Sequence, residues 1–142
     1  MHITTEVQAI PYSPVITVVL CDDINTARVE IGLKKSDKKN WDKNTIGFYF
    51  IDTGRHKERY KPYMFINVIK HDTILELLDT IIHETDHIAG KILQYSGVIT
   101  DYDNDEAHTY LQGYIFQQVF AFFYENQDKL SAVTEILKFE KK

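Results

Sequence analysis

Two histidines four residues apart, with a glutamate directly after the first, occur at His83-Glu84-Thr85-Asp86-His87. Residues four apart on a helix lie on one face, so both imidazoles can reach a single metal ion. Glu84 stands beside them as a carboxylate able to deprotonate a metal-activated water. The pattern is short and recurs by chance, so its weight rests on its surroundings. A solvated helix face also accounts for the two histidines, since Glu76, Asp79, Thr80, Asp86 and Gln94 are read onto the same side. A zinc site of catalytic type requires a third protein ligand and one open position for water.

The motif falls in a segment with helical periodicity. Asp72 or Thr73 can cap a helix running to about residue 96, which Gly97 closes. Ile74, Leu77, Leu78, Ile81, Thr85, Ile88, Ala89 and Ile92 recur at three and four residues and form its apolar stripe. At 100° per residue His83 and His87 lie about 180° and 220° from the centre of that stripe, away from the core. A second helix is expected over about 104–126. It is apolar nearly all round, with Leu111, Ile115, Phe116, Val119, Phe120, Phe122 and Phe123. A short terminal helix is expected over about 128–139.

Strands are expected before these helices, over about 14–70. Val15 to Leu20 is β-branched and bounded by Pro14 and Asp22-Asp23. Ala27 to Leu33 alternates apolar and polar and reads as a second strand. Ile46 to Ile51 and Tyr63 to Ile69 read as an antiparallel hairpin with a polar tip around Gly54. No internal repeat, low-complexity tract or linker divides residues 1–142, so one domain is expected. Strands first and helices after imply an α+β fold, with helices on one face of a mixed sheet.

Glu106 is the leading third ligand. Eighteen residues separate it from His87, and it opens the second expected helix. Asp103 followed three residues later by Glu106 also fits a helix capping box. Tyr110, Gly113 and Gln117 follow Glu106 at helical spacing and form the one less apolar stripe on that helix, as a cleft-facing line would. Asp105 offers a hydrogen bond to a ligating imidazole. His108 is the rival ligand. It points about 200° from Glu106 and 160° from Tyr110, so His108 and Glu106 cannot both face one metal. His2, His56 and His71 are weaker candidates by position.

With this spacing, residues 83–114 resemble the gluzincins, the zinc metallopeptidases in which a glutamate on the next helix follows H-E-x-x-H. The resemblance implies a minimal zincin-like domain in which an N-terminal sheet precedes the active-site helix. It implies Zn2+ held by His83, His87 and Glu106, with Glu84 as general base. An oxyanion donor is also needed; Tyr110 is the first choice, and Tyr102 or His108 the next. Zincins bind peptide as an added strand along the sheet edge above the active-site helix, here the 46–51 or 63–69 strand. Residues 105–114 also resemble small H-E-x-x-H proteins encoded by bacteriophages, which implies a phage protein working in the host cytoplasm or the virion.

Composition removes other classes. The chain has 142 residues, 44% hydrophobic and 13% aromatic, enough for a core without staples. A net charge of −5 gives no general attraction to nucleic acid or anionic membranes. Lys34, Lys35, Lys38, Lys39 and Lys43 are interspersed with Asp37 and Asp42 and read as a solvated loop. Cys21 is the sole cysteine, so no internal disulfide forms and a reducing, cytoplasmic setting is expected. No signal peptide opens the chain, and no apolar run approaches the roughly 20 residues needed to span a bilayer.

The expectation is a zinc-dependent peptidase with a peptide or protein substrate. The alternative is a zincin-fold structural or interaction protein, such as a virion component, contacting a partner or a second copy. A zinc hydrolase acting on another amide is a third reading.

Overall fold

Val15–Cys21 forms the spine of the sheet because both of its faces are covered. The computed structural model describes residues 2–33, 47–52 and 60–130. The lysine cluster, His56, the polar tip beyond Asp52 and nearly all of the expected terminal helix lie outside these residues. Strand β1 (His2–Gln8) pairs antiparallel with β2 (Val15–Cys21), and β2 pairs parallel with β4 (Lys61–Asn67). β3 (Gly47–Asp52) pairs antiparallel with β4, with Gly47 opposite Ile66. The order β1-β2-β4-β3 makes a four-stranded mixed sheet with β3 as a terminal strand. The hairpin expected from the two aromatic runs is therefore present.

Ile16, Val18 and Leu20 of β2 and Met64 and Ile66 of β4 are buried on one face of the sheet. Val19, Cys21 and Phe65 are buried on the other. A central strand buried on both faces reads as a near-continuous apolar run, as this one does.

Two expectations are corrected here. Ala27 to Leu33 is not a strand: α1 spans Ile24–Glu30, and a turn follows it. The Asp23 side chain caps this helix by accepting from the Thr26 N–H at 2.8 Å. Gly32, at φ +90°, reverses the chain while the Leu33 N–H bonds the Arg28 carbonyl. Ile24 and Ala27, three apart, are buried against Val19, Cys21 and Phe65. The helical period outweighs the alternation because it gives this face of the sheet its cover. Helices therefore lie on both faces of the sheet rather than one. β1 also adds a strand before residue 14, with Ile3 and Val7 turned to the larger core.

α2 spans Ile74–Tyr95. The Thr73 hydroxyl accepts from the Glu76 N–H, and the Glu76 carboxylate accepts from the Asp72 N–H. This is close to a capping box. Gly97, at φ +76°, ends the helix as the Val98 N–H reaches the Leu93 carbonyl. Leu77, Ile81, Thr85, Ile88 and Ile92 are buried, as the stripe requires. Thr80, read as part of the polar side, is buried as well.

α3 spans Glu106–Asn126 and packs on α2, burying Leu111, Ile115, Val119 and Phe123 at four-residue spacing. Each such side chain contributes about 1.5–3 kcal/mol. Asp105 holds the N-cap position, so the capping box read from Asp103 and Glu106 does not form. The Asp103 N–H is instead held by the Asp101 side chain. No helix among the described residues is long and apolar enough to cross a membrane.

Candidate functional site

The five motif residues divide between two sides of α2. His83 and His87 are exposed, whereas Glu84 is 7% exposed. The two imidazoles meet edge to face, with ring centroids 4.6 Å apart at 80°. Their Nε2 atoms are 3.1 Å apart. Zn–N bonds of about 2.0–2.1 Å around a tetrahedral ion separate two nitrogens by about 3.3 Å, so the pair stands close to the spacing of a metal clamp. The same distance serves a hydrogen bond from one neutral imidazole to the other.

Glu84 turns toward the sheet at the start of β3. A Cβ added at Gly47 would stand 2.6 Å from Thr80 Cγ2, 3.0 Å from Glu84 Cγ and 3.3 Å from Glu84 Oε1. Only glycine lets the strand approach α2 this closely. Burial pushes the Glu84 carboxyl above the usual glutamate range, and the neighbouring His83 partly offsets the rise. A carboxylate raised in this way is better matched to accepting a proton near neutral pH.

Thr80, one turn before Glu84, is fixed from two directions. Its hydroxyl reaches the Glu76 carbonyl at 3.1 Å and shares a hydrogen bond with His71 Nε2, 2.8 Å away. His71 is 2% exposed, and burial lowers its pKa, which favours the neutral ring. The sequence placed His71 only at the helix entrance. Its role as a prop beneath Thr80 depends on chain reversal through the short 3-10 turn at Val68–Lys70, which no local signal announces.

The third-ligand candidates part company. Glu106 is the exposed first residue of α3. His108 is half-buried toward α2, its Nε2 2.9 Å from an Asp86 carboxylate oxygen. Its Cε1 is 3.5 Å from the position a Cβ would take on Gly90. Among the described residues no group of three or more His, Cys, Asp or Glu converges to hold a metal ion. The fold thus joins His83 to His87 and does not bring Glu106 to join them.

Tyr110 is 77% exposed and lines a hollow of about 370 Å³ between α3 and the β1–β2 turn at Pro11 and Tyr12. None of His83, Glu84 and His87 lines that hollow. Tyr102 is 99% exposed. The expected oxyanion donors are therefore not gathered at the motif. Cys21 is no rival nucleophile: burial, with Asp22 and Asp23 nearby, pushes its thiol up to about 12.

Comparisons with protein-family models, with curated proteins and with solved structures find no match for this chain.

Proposed function

We propose that the chain is a zinc-dependent hydrolase that cleaves a peptide bond, with His83 and His87 as metal ligands and Glu84 as general base. One observation carries this reading: two exposed imidazoles face each other at 3.1 Å beside a buried carboxyl of raised pKa. A zinc ion held by His83 and His87 would supply Lewis acidity and would lower the pKa of a bound water to about 7. Glu84 would accept the proton of the attacking water and pass it to the departing amine. α3 carries two residues able to complete the ligand set, Glu106 and His108.

β3 suits an extended substrate. It is a terminal strand of the sheet, and its first residue touches Glu84. A peptide adding to that strand would be held by main-chain hydrogen bonds and run past the carboxylate. The exposed histidines make a shallow site, which suits a selective enzyme.

Metal analysis of protein purified without chelators tests this reading. One zinc per chain, lost on His83→Ala or His87→Ala, is expected, and metal-free wild type would remove the proposal. Cleavage of a peptide library, read by mass spectrometry, should vanish in Glu84→Gln while the zinc stays. The competing reading, a binding protein of zincin-like build, is favoured by the absence of a converged third ligand among the described residues. It predicts that wild type and Glu84→Gln behave alike in every cleavage assay.

A further inference from the structure

We infer that the part of the sheet left open beside α1 binds a short neutral oligosaccharide. The surface is one that none of His83, Glu84 and His87 lines, so the inference does not depend on zinc. It starts from the reach of α1. Ile24 and Ala27 cover Val19, Cys21 and Phe65, and the helix ends at Glu30. Beyond it, a cleft of about 610 Å³ lies against the same face of the sheet, with Ile31 at its border. Small-molecule sites span about 300–1,000 Å³.

Strand register assembles the floor. Glu6 of β1 pairs with Thr17 of β2, and Thr17 pairs with Tyr63 of β4. Residues directly opposite share a face, so these three side chains form one row across the cleft. Thr17 and Val19 are two apart, which puts the row on the face that α1 covers farther along. Val15 and Lys61 line the cleft beside that row.

The wall is aromatic. Tyr60 stacks on Tyr95 at the end of α2, with ring centroids 4.0 Å apart and planes 16° from parallel. Both rings line the cleft, and Tyr95 is still 47% exposed. The stack fixes a flat surface before any ligand arrives, which lowers the ordering cost of binding.

These groups select the ligand. β2 and β4 are each flanked by strands on both sides, so their main-chain groups are used in ladders and recognition falls to side chains. Thr4, Ser13 and Thr17 offer hydroxyls, each able to donate and to accept. Among the described residues that line the cleft, only Glu6 and Lys61 are charged, and their charges cancel. The chain as a whole carries −5, so a phosphate ligand gains nothing from its field. A sugar ring matches this lining. Its hydroxyls pair with the side-chain hydroxyls and with Glu6, and its face of C–H groups lies on the negative face of a tyrosine ring.

Titration of the isotope-labelled full chain with cellotriose, maltotriose and chitotriose, followed by amide chemical shifts, tests the inference. At least one sugar should bind, with shifts centred on Glu6, Thr17 and Tyr63. Tyr95→Ala should weaken that binding by about two- to tenfold, the contribution of one aromatic contact. Glu6→Ala should weaken it by about tenfold, as loss of a charged hydrogen-bond acceptor does. Tyr102→Ala removes a 99% exposed tyrosine outside the cleft and should bind as wild type does. Circular dichroism confirms that each variant is folded. Binding that survives both cleft substitutions overturns the site, as does failure of all three sugars to bind. Binding of uridine monophosphate in preference to the sugars overturns the ligand class.

Discussion

The two sides of α2 are built to different standards. Toward the sheet, Glu84 and Thr80 close around Gly47, and His71 holds Thr80 from behind. Glu84, Thr80 and His71 are all buried there. On the other side, His83 and His87 are exposed, and His108 rests against Asp86 rather than beside them. The difference teaches which part of the chemistry is preorganised. On the proposed reading, the fold would position the proton acceptor before any ligand arrives, whereas the ion would draw its ligands together. Preorganised groups act in the transition state without reorganisation, while a site completed by its ion ties binding to local ordering.

The largest effect should come from the rigid side. Glu84→Gln keeps the shape of the side chain and removes its basicity, so peptide cleavage should fall by a factor on the order of 10²–10⁴. Zinc content should not change. If cleavage persists at the wild-type rate, the buried carboxyl is structural and the comparison loses its functional meaning.

Gly47→Ala comes next. The added methyl would meet Thr80 Cγ2 at 2.6 Å, so either β3 or α2 must shift. Overpacking of this kind destabilises by about 1–3 kcal/mol, measurable by urea unfolding. Thr80→Ser in the same chain deletes the clashing methyl and keeps the hydroxyl bonded to His71, and should recover most of the loss. The Gly47→Ala variant should still bind zinc, because the added methyl meets Thr80 and Glu84 and neither histidine.

How much of this was legible in the sequence follows the range of each signal. The α2 stripe was readable because Ile81, Thr85, Ile88 and Ile92 repeat at three and four residues over about three turns. The β3–β4 hairpin was readable from two aromatic, β-branched runs. β1 was missed because Thr4-Thr5-Glu6 dilutes the alternation between Ile3 and Val7. α1 was missed because seven residues are too few for a period to emerge, although Asp23 was in place as its cap. The site follows the same rule. Helical rotation placed His83 and His87 together and set His108 and Glu106 apart. It could not say which face of α3 meets α2, since that depends on packing between helices. Glu84 was read only as standing beside the histidines, and its burial against Gly47 belongs to a contact distant in sequence.

A pH titration separates the two sides further. His71 is buried and neutral, so its pKa in the folded chain lies below the value of about 6.5 that it takes when unfolded. The stability tied to this neutral state is fully present above that unfolded value. It is lost as pH falls from there through the folded value, because the unfolded chain takes up the proton first. Thermal unfolding midpoints of wild type should therefore drop more steeply between pH 7.5 and 5 than those of His71→Asn. Parallel curves would show that His71 is not held neutral by the fold.

The smallest effect belongs to the open side in the absence of metal. His87→Ala removes an exposed ring whose contact with His83 is solvent-accessible, and such changes usually stay within about 0.5 kcal/mol. Metal-free wild type and His87→Ala should therefore unfold at nearly the same urea concentration. Zinc then separates them. An ion that binds only the folded chain adds about 2.7 kcal/mol at 100 times its dissociation constant, and that increment should appear in wild type and vanish in His87→Ala. A large loss in His87→Ala without metal would mean that the histidine pair is itself part of the packed structure, and the contrast between a rigid base and ion-gathered ligands would fail. Equal stability without metal and divergence with it is the behaviour expected of ligands that the ion, rather than the fold, draws together.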